Sequence, residues 1–452
     1  MAEAFEQEQT HSHLKAVNDA LSSGQFVLVR RMLHSLPAYD VALLIESSTP
    51  AARPVLWQII DPDQHGDILE ELSEDIKDSI IQEMDPAHVA AAIEDMESDD
   101  IAYVLGSLPE SVYQQVLSSM SVQDRHRVEQ ALAYEDESAG AMMNTDVITL
   151  RPDVSIDVVL RYLRLRGELP ETTDKLYVVD SQDKLLGEVA LANLLINPLD
   201  TLNKEILETE VAPLHAEQHD SEVATHFERH DLISAPVVNN DGKLLGRITV
   251  DDVVDVIRED ADHNMMSMAG LDGEEDTFAP ALKSTQRRSI WLGLNVCAAL
   301  LAACVSNMFE NVLSQLATIA ILMTIVPSMG GVAANQTLTL VIRGIALGHV
   351  GEANTRWLIG KEALIGLLNG LLWATVIAGV VTLWKQDWHI GVVVAVAMLV
   401  NMIMAGLVGV LVPITLKKLK IDPALAGSMM VTTFTDVIGL FSFLGTATLM
   451  LG

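Results

Sequence analysis

The sequence predicts a multidomain membrane protein: an acidic soluble half, built from an all-α superhelix and a duplicated α/β unit, followed by a five-helix transmembrane domain. Three observations carry that expectation. The first is charge: the 452 residues are 50% hydrophobic and yet carry a net charge of −34. Residues 287–452 hold only six of the 62 acids and nine of the 28 Lys and Arg, which leaves 56 acids against 19 bases, a net −37, in residues 1–286. The second is internal repetition in the acidic half, at two different periods. The third is a set of five apolar runs of spanning length that begins only after Arg288.

After a polar segment, 1–26, residues 27–133 read as short helices stepping every dozen residues or so, at 83–94, 95–106 and 107–118. Each opens with Pro or with Ser or Asp as a cap and continues with apolar residues at helical spacing. Units this short bury no core alone and are expected to stack into a superhelix. Such a surface suits interaction or sensing, not catalysis.

The second repeat lies at an offset of 59 residues: Val178–Leu195 matches Val237–Val254. Each copy reads strand, polar turn, strand, helix, with Asn240-Asp-Gly242 supplying the positive-φ residues of the second turn. The Asn and Asp of that turn lack the ligand pattern of a calcium loop. The duplication resembles a tandem CBS pair spanning 138–257. A helix and linker, 250–286, lead from it towards the spans. Asp251, Asp252, Asp255, Glu259, Asp260 and Asp262 crowd into twelve residues there, and Asp252, Asp255 and Glu259 share one helical face. Two readings stand: a solvated face, or a divalent-cation site in which the ions offset like-charge repulsion.

The spans fall near 289–309, 317–344, 360–384, 389–416 and 423–450. Eight of the nine bases in residues 287–452 fall on one side of this topology, with Lys385 alone on the other. That places the amino terminus inside and the carboxyl terminus outside. Met1–His13 is polar and acidic without a secretory pattern, so the soluble half is expected in the cytoplasm. Cys297 and Cys304 are the only cysteines, read as buried packing residues of the first span.

Asp436 is the one acid expected deep inside an apolar span. A carboxylate at the centre of a membrane helix costs roughly 2.5–3.5 kcal/mol, so such groups face a pore or a partner. Thr432, Thr433 and Thr435 add hydroxyls within a turn, and Ser428, Thr432 and Asp436 fall at i, i+4, i+8 on one stripe. The second span is expected to break along 327–336, where Pro327, Gly330 and Gly331 loosen the backbone and Asn335 and Gln336 add oxygens. Two polar elements in one small bundle point to an ion path.

Taken together, the chain resembles the MgtE-type magnesium channels and transporters along nearly its whole length. The residues that carry the resemblance are Tyr134-Glu-Asp-Glu-Ser-Ala-Gly140, Pro327-Ser-Met-Gly-Gly331, Asn335-Gln336, Arg343, Asp422-Pro-Ala-Leu-Ala426 and Thr432-Thr-Phe-Thr-Asp436. The resemblance implies a homodimer embedded in the lipid of a bacterial inner membrane, with a pore on its axis between second and fifth spans. Asp436 of each copy would form the selectivity pair, and Thr432, Ser428 and Asn335 would line the path. The helix near 250–270 would be a plug held closed by cytosolic Mg²⁺, with Asp99, Asp231, Asp252, Asp255, Glu259 and Asp260 as sensor ligands.

The resemblance also implies ATP as a ligand of the CBS pair. Thr249 and Asp252 match a Thr-x-x-Asp ribose pattern that is Ala190 and Asn193 in the first copy; helix capping is the other reading of that pair. The chain departs from the family's run at Val332 and Ala334, and Tyr103, His263 and Asn264 stand where acids are common.

Function is thus expected to be Mg²⁺ uptake down its electrochemical gradient, gated shut by the same ion. A proton- or sodium-coupled carrier of divalent cations, Co²⁺ and Mn²⁺ included, is the alternative. No Walker A or His-Glu-x-x-His pattern points to an enzyme, and the acidic charge speaks against nucleic acid as a partner.

Overall fold

The computed structural model describes residues 15–451 apart from 18, 22, 94–95, 107, 109, 121–124, 126–127, 131, 171, 272–275, 316 and 352. Most of the polar segment 1–26 lies outside the described residues, as do Asp95, Ser107 and Pro109 of the helical repeats and part of the linker. Two compact units emerge: residues 1–261 with 276–280, and residues 262–275 with 281–452.

The first unit opens with α1 (Phe26–His34), α2 (Ala38–Glu46), α3 (Arg53–Ile59), α4 (His65–Glu70), α5 (Glu74–Glu83), α6 (Pro86–Ala92), α7 (Ser98–Gly106) and α8 (Glu110–Ser119). None exceeds ten residues, shorter than the dozen or so at which isolated helices become even marginal in water. Their stability comes from one shared apolar core running from Val29 to Leu117. Pro86 stands in the first turn of α6, where its missing N–H leaves no bond unmade. Ser73 and Asp85 precede α5 and α6 without a side-chain capping bond, so in these two repeats the expected cap chemistry is not made by the side chain.

The duplication folds twice in the same way. Strands β1 (Thr149–Leu150), β2 (Lys175–Val179) and β3 (Leu185–Ala190), with α9 (Ile156–Arg166) and α10 (Leu191–Ile196), form one copy. Strands β4 (Leu214–His215), β5 (Ser234–Val238) and β6 (Leu244–Thr249), with α11 (Asp220–His230), form the other. Each sheet has the order first–second–third strand, parallel then antiparallel. Lys175 faces Ala190 as Ser234 faces Thr249, and each copy has an irregularity at its paired valines, Val178/Val179 and Val237/Val238.

The turns differ from the sequence expectation. Only Gly242 of the Asn240-Asp-Gly242 run has positive φ, and Asp183 takes the equivalent place in the first copy. What organises both turns is the residue at their head. Asn239 Oδ1 accepts from the Asp241 and Lys243 amides, and Asp180 Oδ1 accepts from those of Gln182 and Lys184. These are Asx turns. The two turns also bond each other reciprocally, Leu185 N to Gly242 O and Leu244 N to Asp183 O, both at 3.0 Å.

From the second copy runs α12 (Val250–Met268). Residues 276–280 belong to the first unit, where Arg53 holds Asp276.

The second unit has five helices long and apolar enough to cross a membrane, at 281–308, 318–346, 355–385, 388–418 and 423–450. They comprise α13 (Ala281–Met308), α14 (Glu310–Gln315), α15 (Ala317–Leu322), α16 (Ile325–Ala346), α17 (Thr355–Lys385), α18 (Trp388–Lys418) and α19 (Pro423–Leu451), with α14 the short connector. Span two is divided, but not where the sequence suggested. Residues 327–336 are helical, and the interruption is the turn at Met323–Thr324. Pro327 then occupies the first turn of α16, and the carbonyl its ring would meet in a continuous helix is that of Met323.

Gly330 and Gly331 allow close packing instead. A Cβ on Gly330 would sit 2.1 Å from Asn401 Nδ2. Between α17 and α18, a Cβ on Gly406 would sit 2.6 Å from the Glu362 carbonyl oxygen. Span one buries no side chain within the chain, and Cys297 and Cys304 are exposed on it. The expected packing of both cysteines inside the chain is therefore not seen.

Candidate functional site

Two groups of polar residues stand out, one in each unit. In the membrane half, α16 and α19 meet at Asn335. Its Oδ1 accepts the Ser428 hydroxyl at 3.0 Å, while its Nδ2 donates to Thr432 Oγ1 at 3.3 Å and to the Gly331 carbonyl at 3.0 Å. The i, i+4 spacing puts Ser428 and Thr432 one above the other, and a single amide spans both. Asp436 continues the stripe one turn on, half-buried and with no hydrogen-bond or ion-pair partner among the described residues. The other hydroxyls do not join it. Thr433 bonds the Met429 carbonyl, and Thr435, fully buried, bonds those of Val431 and Thr432. The oxygen patch is therefore one face, Ser428–Thr432–Asp436 with Asn335, not a ring of all the neighbouring threonines.

Two polar residues of this bundle escaped the sequence reading. Asn401 of α18 is fully buried and donates to the Val326 carbonyl at 2.8 Å, beside the turn that opens α16. Glu362, 3% exposed, accepts from Thr337 Oγ1 at 3.1 Å and lies 3.0 Å from Lys361 Nζ. Asp436 is thus not the only acid set inside a span. Glu362 looked terminal because the sequence places the start of span three near 360, whereas α17 begins at Thr355. A lone Asn inside an otherwise apolar run was the signal available for Asn401.

The carboxyl-terminal end of α12 reaches the same bundle. Met268 packs on the core shared by α16, α18 and α19, and Ser267 is buried. His263 Nε2 lies 3.3 Å from Asp422 Oδ2, at the start of α19, and 3.3 Å from Ser267 Oγ.

In the first unit, the start of α7 faces the start of α12. Burial pushes the Asp99 carboxyl well above its ordinary range, and Asp252, Asp100 and Glu97 add to the rise. Asp100 rises for the same first reason, with Asp255 and Asp251 adding and Lys77 opposing. Asp252 is pushed up to about 7 by burial, although the Thr249 amide and hydroxyl both bond its Oδ2, at 3.1 and 3.0 Å. Glu259 is raised by burial and by Asp255. Asp99 Oδ1 is buried without a hydrogen-bond partner among the described residues. Such a cluster disfavours its own ionisation and so favours bound cations.

Asp99, Asp252, Asp255 and Glu259 are therefore brought into one electrostatic neighbourhood, joined by Asp100, which the sequence reading did not single out. Asp231 caps α11 in the left-handed conformation (φ 51), and among the described residues no hydrogen bond or ion pair links it to this group; Asp260 lies further along α12. Among the described residues no three carboxylate, His or Cys side chains converge as a direct metal shell. Thr249 and Asp252 do form the capping arrangement. The small cavity of about 150 Å³ in the duplicated unit is lined by Leu185, Gly187, Thr209, Val211, Pro213 and Val238, among others, and not by that pair.

Sheets in tandem, a helical acidic domain and five apolar helices with a polar stripe define a multi-pass membrane transport protein with a large acidic half outside its spans. Comparison with known proteins agrees. Residues 323–446 match the family described as "Divalent cation transporter", residues 36–137 the MgtE intracellular N domain, and residues 139–198 and 204–259 the CBS domain. The chain is 28% identical to the magnesium transporter MgtE of Enterococcus faecalis over 436 residues, 96% of each chain. It is 28% identical to that of Bacillus subtilis over 429 residues, 95% of each. A solved structure of the cytosolic domain of the Mg²⁺ channel MgtE in complex with ATP is 26% identical. It covers 54% of this chain and 99% of that one, with a TM-score of 0.50. The chain belongs to the MgtE family of magnesium transporters.

Proposed function

We propose that this chain conducts Mg²⁺ into the cytoplasm as a homodimer in a bacterial inner membrane, amino terminus inside, and is closed by cytosolic Mg²⁺. The observation that carries the reading is the arrangement around Asn335. One amide fixes the Ser428 and Thr432 hydroxyls on a single face, and Asp436 follows on that face with its carboxylate unspent.

One chain supplies one negative charge at that level, and two copies would supply the pair that a divalent ion needs. Paired carboxylates across a wide constriction attract Mg²⁺ without stripping its water. Two charges crossing 100 mV gain roughly 4.6 kcal/mol, at about 2.3 per charge, so no ATP hydrolysis is required.

Gating follows from the second group. Asp99, Asp100, Asp252, Asp255 and Glu259 would hold hydrated Mg²⁺ when it is abundant, and their repulsion would part the helices when it is scarce. The end of α12, packed at Met268 and Ser267, is the element through which this would reach the spans. The CBS pair is the candidate ATP site, supported by the relative solved with ATP.

Mg²⁺ flux into liposomes and single-channel recording test the proposal together. Asp436→Ala should abolish flux, and unitary currents should persist without a pH or sodium gradient. Flux that survives Asp436→Ala overturns the pore assignment, and currents that require the gradient establish the coupled carrier instead.

A further inference from the structure

The chain enters its second unit at Asp262, returns to the first for Asp276–Pro280, and leaves it again at Ala281, the first residue of span one. Arg53 fastens that return. Its guanidinium, at the start of α3, holds Asp276 in a bidentate pair at 2.6 and 3.1 Å. It also donates to the Ile45 and Glu46 carbonyls at 3.2 and 3.0 Å. All three nitrogens are engaged, in a fork geometry that a lysine does not reproduce. The anchor is firm on one side, because Ile45 on α2 and Leu56 on α3 are fully buried. It is short on the other. Asp276 Oδ1 accepts the Phe278 amide at 2.9 Å and its carbonyl accepts the Ala279 amide at 3.0 Å, a turn that leaves little slack before Ala281. Beyond it, span one is the membrane helix least held by its own chain: α13 buries no side chain there. It lies along α19, which carries Ser428, Thr432 and Asp436.

We propose that the Arg53–Asp276 pair makes residues 276–280 a strap, which carries displacement of the helical acidic domain into span one and onward to α19, by a route separate from α12. The inference rests on the gating reading above, in which α7 parts from α12 when cytosolic Mg²⁺ is scarce. Helices α3 and α7 share one apolar core, so a movement of α7 moves Arg53 with it. A domain that has parted from α12 no longer acts on it by contact, but it still draws on span one through the strap. Opening then has two components: α12 is released, and span one is pulled.

The test measures Mg²⁺ flux in liposomes at low and at saturating Mg²⁺ on the side of the soluble half, using the full chain with a four-residue glycine–serine insert at one of two places. After Pro280 the insert lies between anchor and span and adds up to about 14 Å of reach. After Leu271 it lies ahead of the anchor and leaves the strap as it is. Both variants keep the Arg53–Asp276 pair, so a merely structural role for that pair predicts no difference between them. The insert after Pro280 should cut the ratio of open to closed flux by at least about fivefold. The insert after Leu271 should leave it unchanged, and Asp276→Asn should follow the first. Equal ratios for the two inserts overturn the proposal. A second readout does not depend on gating: the distance in EDTA between spin labels on Cys297 and at Tyr39→Cys, an exposed position of α2, with Cys304→Ser. The insert after Pro280 should widen that distribution and the insert after Leu271 should not; equal widths overturn the strap. If flux through the parent ignores Mg²⁺, the gating reading fails, and the distance comparison alone decides whether the strap exists.

Discussion

Arg53 grips both oxygens of Asp276, at 2.6 and 3.1 Å, with the two side chains 8% and 10% exposed. The same guanidinium donates to the Ile45 and Glu46 carbonyls, so it pins residues 276–280 to the end of α2. Removing Arg53 takes from the part-buried Asp276 its bidentate partner and leaves it the Phe278 amide among its remaining contacts, a loss of up to about 3–5 kcal/mol. Arg53→Ala should therefore lower the thermal midpoint of the soluble unit and speed proteolysis near Asp276. An Arg53→Met, Asp276→Leu double variant should recover most of the loss. Equal protease rates for Arg53→Ala and the parent would contradict this.

The acidic interface predicts a pH dependence with a definite sign. Asp252 is held at about 7, and Asp99 and Asp100 are held above their ordinary range by burial. Raised carboxyl values mean that the metal-free closed interface is favoured by protonation, fully below the ordinary Asp range of about 4 and progressively less as pH rises through 7. Mg²⁺ competes with those protons, so its affinity should rise from pH 6 to pH 8, by up to about tenfold per unit for each proton displaced. Calorimetry in buffers of different ionisation heat reads the protons directly. Binding without proton release would sink the assignment of Mg²⁺ to these residues.

In the spans, Asn335 does more than either hydroxyl it holds. Ser428→Ala removes one hydrogen bond and should reduce Mg²⁺ flux less than threefold, given about 0.5–1.5 kcal/mol for such a bond, shared between stability and transport. Asn335→Leu removes both bonds between α16 and α19 and should reduce flux by at least about tenfold. Flux in Asn335→Leu equal to that in Ser428→Ala would show that the bridge has no part in the path.

Glu362 is predicted to act on stability, not on conduction. Glu362→Ala strands the Thr337 hydroxyl and opens a void, together worth about 2–4 kcal/mol, and should melt in detergent at lower temperature. Glu362→Gln keeps an acceptor for Thr337 and should melt near the parent. If Glu362→Gln conducts poorly while melting normally, Glu362 belongs to the ion path after all.

The fold was legible in sequence wherever a periodic signal repeated. The offset of 59 residues returns as two sheets of identical order and register, because the same buried apolar strand followed by the same polar turn recurs in each copy. The five spans were equally visible, since length and hydropathy suffice in a membrane. The stripe of Ser428, Thr432 and Asp436 was readable from helical spacing, and its pairing with Asn335 from polarity.

What sequence left out depends on three-dimensional juxtaposition. Asp100 becomes part of the acidic group only when α7 meets α12, and Lys77 finds the Tyr103 ring only when α5 packs beside α7. The turn at Met323–Thr324 was misplaced because Pro327 acts on the carbonyl four residues before it, not on its own position.

The contact between Gly330 and Asn401 carries a consequence for inheritance. A single carbon added at Gly330 would meet the Asn401 amide at 2.1 Å, while the same Asn stands within 2.9 Å of the place a Cβ on Gly439 would take. Three positions scattered over 110 residues of chain, 330, 401 and 439, therefore share one allotment of volume. Descendants of this sequence are free to change them only in concert: a larger residue at 330 or 439 demands a smaller one at 401. Across related chains the three columns should drift as a single character.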